Sequence, residues 1–197
     1  LELIGVDLFA GEEPALIAGR IAEVQAAYQM IERVQTLAER FLIRWRGEAD
    51  PAHAHAIDAY WSSAAEHGMN ASTFTARVIT GTGSDMYSAV TGAIGALRGP
   101  KHGGANEVAY EVQSRYESPD EAERDIVRRV AEKEVVIGFG HPVYTTGDPR
   151  NDVIKKVAKR LSDRAGRMKL YQIADRIEAV MWREKRMFAN LDWFSAV

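Results

Sequence analysis

An all-α fold is what this 197-residue sequence predicts, and three observations predict it. Apolar residues recur at i+3 and i+4 steps through most of the chain, the period of an amphipathic helix. Start signals such as Ser-Pro-Asp-Glu and Asp-Pro, and stop signals such as Gly, divide those runs at helical lengths. Only Glu134–Phe139 reads as extended.

The elements follow in order. Residues 14–46 carry Leu16, Ile17, Ile21, Val24, Tyr28, Ile31, Val34, Leu37, Phe41 and Leu42 at helical spacing, interrupted near Gly19, so one long helix or two in series is expected. Gly47–Pro51 is a loop. Further helices are expected over about 53–66 and 72–80. Thr80–Ser84, reading T-G-T-G-S, is a turn, and Ser84 is expected to cap a helix running to Leu97. Ala105-Asn106-Glu107 enters the next one. Ser118-Pro119-Asp120-Glu121 reads as a capping box with Pro at the first helical position. Asp148-Pro149 opens a helix whose Ile154, Val157, Ala158 and Leu161 share a face, and Gly166 stops it. A last helix carries Leu170, Ile173, Ala174, Ile177, Val180 and Met181. The run from Arg124 to Lys133, rich in both signs, is a solvated helix face.

Composition narrows the function. Lys plus Arg number 25 and Asp plus Glu 28, a net charge of -3 too mixed to favour nucleic acid or an anionic membrane as a partner. There is no cysteine, which removes disulfides, thiolate catalysis and cysteine zinc sites. The 12-residue charge-free stretch Met86–Leu97 falls short of the roughly 20 apolar residues that a bilayer requires. Glu2 and Asp7 interrupt any secretory leader at the start, so a cytoplasmic protein is expected. The sequence begins at Leu1 and stops at Ala196-Val197 inside an apolar run, which reads as an excerpt of a longer polypeptide.

Chemistry in an α-protein gathers in loops between helices. Two Gly-rich breaks each hold a histidine: Gly99-Pro-Lys-His102-Gly-Gly104 and Gly138-Phe-Gly-His141-Pro142. Glycines beside a histidine let a ligand approach the backbone closely. A third histidine, His67, stands in Glu66-His67-Gly68-Met69-Asn70. A lone histidine is more often a surface or satisfied core residue than a functional one. That plain reading is kept for His53 and His55, whose H-x-H pair has no carboxylate or cysteine cluster to complete a metal site. Gly138-Phe139-Gly140 lacks the further glycine of a dinucleotide fingerprint. His102-Gly-Gly resembles the oxyanion loop of esterases, but no G-x-S-x-G nucleophile accompanies it. Asn70-Ala71-Ser72 is a glycosylation sequon by letters alone.

Leu97-Arg-Gly-Pro-Lys-His-Gly-Gly-Ala-Asn106 resembles the first histidine loop of citrate synthases. Val136-Ile-Gly-Phe-Gly-His-Pro-Val-Tyr144 with Asp148-Pro-Arg150 resembles their second, and Asn190-Leu-Asp192 with Ser195 resembles the segment of their catalytic aspartate. The three occur in the family's order and spacing. From about Asn70 onward the likeness is to bacterial 2-methylcitrate synthases; residues 1–60 resemble the family loosely, and Gly68 replaces the acidic residue more usual after that histidine.

That resemblance implies a two-domain helical fold, with residues 1–101 part of the large domain and 102–197 a small domain carrying the catalytic loops. It implies propionyl-CoA and oxaloacetate as substrates, with coenzyme A leaving after hydrolysis of the condensed thioester and no bound cofactor or metal. Asp192 would remove the α-proton, His102 would hydrogen-bond the thioester oxygen, and His141 would polarise the keto group of oxaloacetate. His67 and Arg150 would hold oxaloacetate, Arg150 through its planar fork. Val135, Val136, Ile137, Gly138 and Phe139 would lie against the adenine of coenzyme A. A homodimer is implied as well. An acetyl-CoA citrate synthase differs by one methylene, worth only about 1–3 kcal/mol in a pocket. A catalytically silent helical dimerisation fragment is the rival from another class, and the presence of His102, His141 and Asp192 together argues against it.

Overall fold

The structure, a computed structural model, describes residues 14–34 and 36–197. The stretch around Glu2 and Asp7, and the side chains of Leu16, Ile17 and Ile21, lie outside the described residues. Ten helices are described: α1 Pro14–Arg33, α2 Leu37–Arg46, α3 Pro51–Ala64, α4 Ala71–Gly81, α5 Met86–Leu97, α6 Ala105–Gln113, α7 Pro119–Ala131, α8 Pro149–Arg164, α9 Met168–Lys185 and α10 Leu191–Ser195. The chain separates into two compact units, Leu1–Asp58 and Ala59–Val197. The boundary expected at 101/102 falls inside the second.

In the first unit the run over 14–46 is two helices, and the break lies before Leu37, with Gly19 inside α1. A capping box makes that break: Thr36 Oγ1 accepts from Glu39 N at 3.2 Å, and the Glu39 carboxylate returns to Thr36 N at 3.0 Å. Pro51 is the first residue of α3, and Asp50 caps it by accepting from Ala52 N and His53 N. Ala38, Leu42 and Ala54 form a small core, while Val24, Tyr28 and Trp45 stay exposed.

The second unit holds the main core. Ala122 and Ile126 of α7, whose charged face carries Arg128 and Arg129, pack with Ile173, Ala174, Ile177 and Val180 of α9, and α8 and α10 close the cluster. The Ser118 box is half made: Ser118 Oγ accepts from Glu121 N, but the Glu121 carboxylate reaches Glu117 N rather than Ser118 N. Asp85, not Ser84, caps α5, because its carboxylate accepts from Ser88 N at 2.9 Å. Residues 134–138 form no strand; only Phe139 pairs, in an isolated antiparallel bridge to Ala189.

Helix α10 has five residues, far below what is stable alone. Burial holds it. Trp193 is 0% and Phe194 1% exposed, and full burial of one such ring contributes about 1.5–3 kcal/mol. The Trp193 indole N–H donates to Ala174 O, and Gln113, fully buried on α6, donates to Trp193 O at 2.7 Å. The helix that presents Asp192 is therefore fastened from two neighbouring helices.

Candidate active site

His102 stands in the turn between α5 and α6. That turn folds on its own backbone: Gly104 N donates to Leu97 O and Gly99 O at 3.0 and 3.1 Å. A Cβ on Gly104 would lie 2.4 Å from Arg98 O and 2.9 Å from Gly99 O, so glycine is required here for the loop's own closure. The glycines thus shape the loop itself, where the sequence suggested room for a ligand. His102 Nε2 lies 2.7 Å from Ser72 Oγ, and Ser72 Oγ also reaches Ala93 O at 3.1 Å. Whichever group takes the single hydroxyl proton, Nε2 is engaged and Nδ1 is the ring atom left for a substrate.

His141 sits where the backbone turns sharply, after Gly138 at φ 96 and Gly140 at φ 75. Gly138 needs the left-handed region that only glycine enters freely, and a Cβ there would strike the Trp193 ring at 2.7 Å. The loop is tied to the residues before Asp192. Gly140 N donates to Phe188 O, Asn190 N to Gly138 O, and Asn190 Nδ2 to Gly140 O, all within 3.0 Å. His141 Nδ1 accepts from two amides, Val143 N at 3.0 Å and Tyr144 N at 3.2 Å. A neutral His141 therefore carries its proton on Nε2, which meets His67 Nε2 at 3.0 Å. Burial lowers the His141 pKa, and the nearby Arg150 and His67 lower it further, against Asp148. The ring stays neutral and is a donor at Nε2.

Asp192 is half-buried in the first turn of α10, its N–H bonded to Asn190 Oδ1 at 3.0 Å. Burial pushes its carboxyl up to about 6; Asp148 adds to the rise and Arg150 opposes it. Arg150, in the first turn of α8, gives its Nε and Nη2 to the Asp148 carboxylate at 2.9 and 2.8 Å. Its guanidinium lies 5.4 Å from the Tyr144 ring centroid, and Tyr144 also packs on His141 and His67. Tyr60 on α3 completes the neighbourhood: its hydroxyl pKa is raised by burial and by Asp192, and lowered by Arg150.

The five residues singled out in the sequence thus belong to one connected set. His67 and Ser72 are neighbours in the chain, one bonded to His141 and the other to His102, while the His141 loop is stitched to the Asp192 segment. Val135 is 77% exposed, whereas Val136 and Phe139 are buried, the latter packed on Trp193. That stretch can offer a ligand Val135, Ile137 and backbone. His53 and His55 are exposed, and among the described residues no group of three or more potential metal ligands occurs. Two surface depressions of about 500 and 310 Å³ are lined by none of these site residues. Sequence reading did not single out Ser72, Asp148, Asn106 or Gln113. Asp148 stood in a quoted motif as a helix opener, Asn106 closed the quoted first histidine loop and Ser72 ended a sequon, each without a role of its own, and Gln113 carries no local signal.

A half-buried carboxyl with raised proton affinity, a neutral imidazole donor, a second imidazole with a free Nδ1, and a guanidinium can take a proton from carbon while stabilising charge on two oxygens. Comparison with known proteins places the chain in a family. The family model for the citrate synthase C-terminal domain matches residues 12–197. The chain is 44% identical over 161 residues to a 2-methylcitrate synthase of Shewanella oneidensis, covering 81% of this chain and 43% of the relative. It is 39% identical over 188 residues to citrate synthase 2 of Bacillus subtilis, covering 92% and 50%. Among solved structures, a ternary complex of Thermoplasma acidophilum citrate synthase with carboxymethyl coenzyme A and oxaloacetate superposes with a TM-score of 0.77 at 34% identity, over 83% of this chain and 44% of that one. The chain spans about half the length of these relatives.

Proposed function

The chain belongs to the citrate synthase family, and on that premise we propose that it supplies the condensing machinery of an enzyme joining propionyl-CoA and oxaloacetate to give 2-methylcitrate and coenzyme A. The observation that carries the reading is the set just described: Asp192 with its pKa near 6, linked through the 138–141 and 188–190 backbone to neutral His141, and His102 free at Nδ1. A carboxylate tuned toward neutral pH is a stronger base than an ordinary aspartate yet still ionised at pH 7. Asp192 takes the α-proton of the acyl-CoA. His102 donates from Nδ1 to the thioester oxygen as the enol forms, with the Ser72 hydroxyl turned toward Nε2. The enol carbon attacks the keto carbon of oxaloacetate, whose oxygen takes the Nε2 proton of His141 in place of His67. Water then cleaves the thioester. His67 and the Nη1 side of Arg150 hold the oxaloacetate carboxylates. Val135–Phe139 offers the edge for the adenine of coenzyme A.

Likeness to the S. oneidensis relative named a 2-methylcitrate synthase supports the propionyl-CoA reading, and likeness to the B. subtilis citrate synthase 2 supports acetyl-CoA as the second reading. Steady-state kcat/KM with acetyl-, propionyl- and butyryl-CoA, read by thiol release in the whole protein, separates them. Propionyl-CoA is expected to give the highest value; a clear preference for acetyl-CoA would replace the 2-methylcitrate reading.

A homodimer belongs to the same proposal. Helices α4 and α5 pack on each other, touching where Gly92 meets Ile79, and leave Phe74, Val78, Met86, Val90 and Ile94 exposed. Such an apolar face suits a second copy of the chain.

A further inference from the structure

We propose that Asp148 is a positioning residue for both halves of the reaction: it clamps Arg150 on one side and, through the Leu191 N–H, sets where Asp192 stands on the other. The inference rests on the condensing-enzyme reading and adds to it a residue with no role in substrate contact.

The Asp148 side chain is 0% exposed. An ionised carboxylate so placed costs several kcal/mol unless its lone pairs are filled. They are. Oδ1 accepts from Arg150 N at 3.0 Å and from Arg150 Nε at 2.9 Å. Oδ2 accepts from Arg150 Nη2 at 2.8 Å and from Leu191 N at 3.1 Å. A carboxylate has about four acceptor positions, so all of them are filled by donors of this chain. Every donor belongs either to Arg150 or to the residue before Asp192.

Two consequences follow. Arg150 presents its Nε–Nη2 edge to Asp148, which leaves Nη1 as its open side and fixes the direction in which it can bind a substrate carboxylate. Leu191 is the first residue of α10, so its N–H has no partner within the helix and would be orphaned in the core without Asp148. Asp192 follows immediately.

Charge points the same way. Arg150 and Asp148 are the charged groups that bear on the Asp192 carboxyl, with opposite signs, and Tyr60 is the other titratable group that feels it. Helices α6 and α9 bring neutral partners to α10: Asn106 to Ser195 Oγ, Gln113 to Trp193 O, and Ala174 O to the indole. With Asp148 neutral, the Arg150 charge would act on Asp192 uncompensated and weaken it as a base.

The test is the pH dependence of kcat/KM for the acyl-CoA between pH 5 and 8.5, in the whole protein and its Asp148→Asn variant. The wild-type acid limb is expected near pH 6. In the variant it should move down by at least half a pH unit, with a lower plateau and an oxaloacetate KM raised several-fold. A limb in the wild-type position, whether the plateau falls or not, would overturn the proposal and leave Asp148 a structural residue only. Should the single variant not fold, Asp148→Asn combined with Arg150→Gln removes both charges, and the pH limb of acyl-CoA α-proton exchange into D₂O is read instead. A limb within a few tenths of wild type agrees with charge balance; a limb displaced as far as half a unit overturns it. Wild type that exchanges no α-proton at all would instead sink the condensing-enzyme reading, so the two failures are distinct.

Discussion

Replacing Asp192 with Asn should cripple catalysis and stabilise the protein at the same time. The carboxyl has a pKa of about 6 in place, against an ordinary 3.8, chiefly because burial disfavours its charge. A group that holds its proton more tightly when folded works against the fold once ionised. A rise from 3.8 to about 6 corresponds to about 3 kcal/mol, fully present above pH 6, shrinking as pH falls through that value and gone below the unfolded value. Asn keeps the size and the Asn190 cap and carries no charge to desolvate. The variant should therefore gain up to about 3 kcal/mol at pH 7.5, seen as a Tm several degrees higher, since a domain of this size moves about 2–4 °C per kcal/mol. The gain should be smaller at pH 5.5 and smaller still at pH 5. Activity should fall by the 10²–10⁴-fold typical of losing a general base, and exchange of acyl-CoA α-hydrogens into D₂O should stop. Thermal unfolding of both proteins at several pH values, beside the exchange assay, checks this. A variant no more stable than wild type at pH 7.5, or a gain that ignores pH, would refute the idea that the base is held ionised at the expense of the fold. Undiminished exchange would move the base elsewhere.

Two further predictions concern the rest of the site. Arg150→Lys retains the charge but loses the planar fork that holds Asp148 along one edge while presenting Nη1 to oxaloacetate; the oxaloacetate KM should rise at least tenfold and Tm should fall, whereas an unchanged KM would remove Arg150 from the substrate ligands. Light scattering should give twice the chain mass for the whole protein, and Phe74→Glu with Ile94→Glu on the exposed α4–α5 face should shift it to monomer; a wild-type monomer would end the homodimer proposal.

The helices were legible wherever local chemistry decides them. Asp148-Pro149 and Gly166 mark the ends of α8 because a side-chain acceptor, a fixed φ and a left-handed stop each act within a residue or two. Ser84 failed as a cap because Asp85, one residue on, competes with a stronger acceptor. Glu134–Phe139 looked extended because it is apolar, but a strand needs a partner, and among the described residues only Ala189 provides one, to Phe139. In the site, the histidines and Asp192 were visible from their motifs. Ser72, Asn106 and Gln113 were not, since each acts across 30 residues or more: Ser72 on His102, Asn106 on Ser195, Gln113 on Trp193. Asn106 closes the quoted first histidine loop, yet neither there nor around Ser72 and Gln113 does the local sequence distinguish a side chain that reaches such a partner from one that meets water.

The placement of Asp192 and its basicity have one cause. Its helix is too short to exist unaided, so its position depends on Trp193 and Phe194 being fully buried. That burial draws the neighbouring carboxyl out of water and raises its proton affinity. Loosening the anchors, by removing the Gln113 bond to Trp193 O or the Asp148 bond to Leu191 N, would hydrate the carboxyl and weaken it as a base as well as displace it. The same backbone ties that bring residues 188–190 to the His141 loop keep the Asp192 carboxyl in register with the His141 imidazole. Base strength and register are therefore properties of the packing around α10, and variants that disturb either should disturb both.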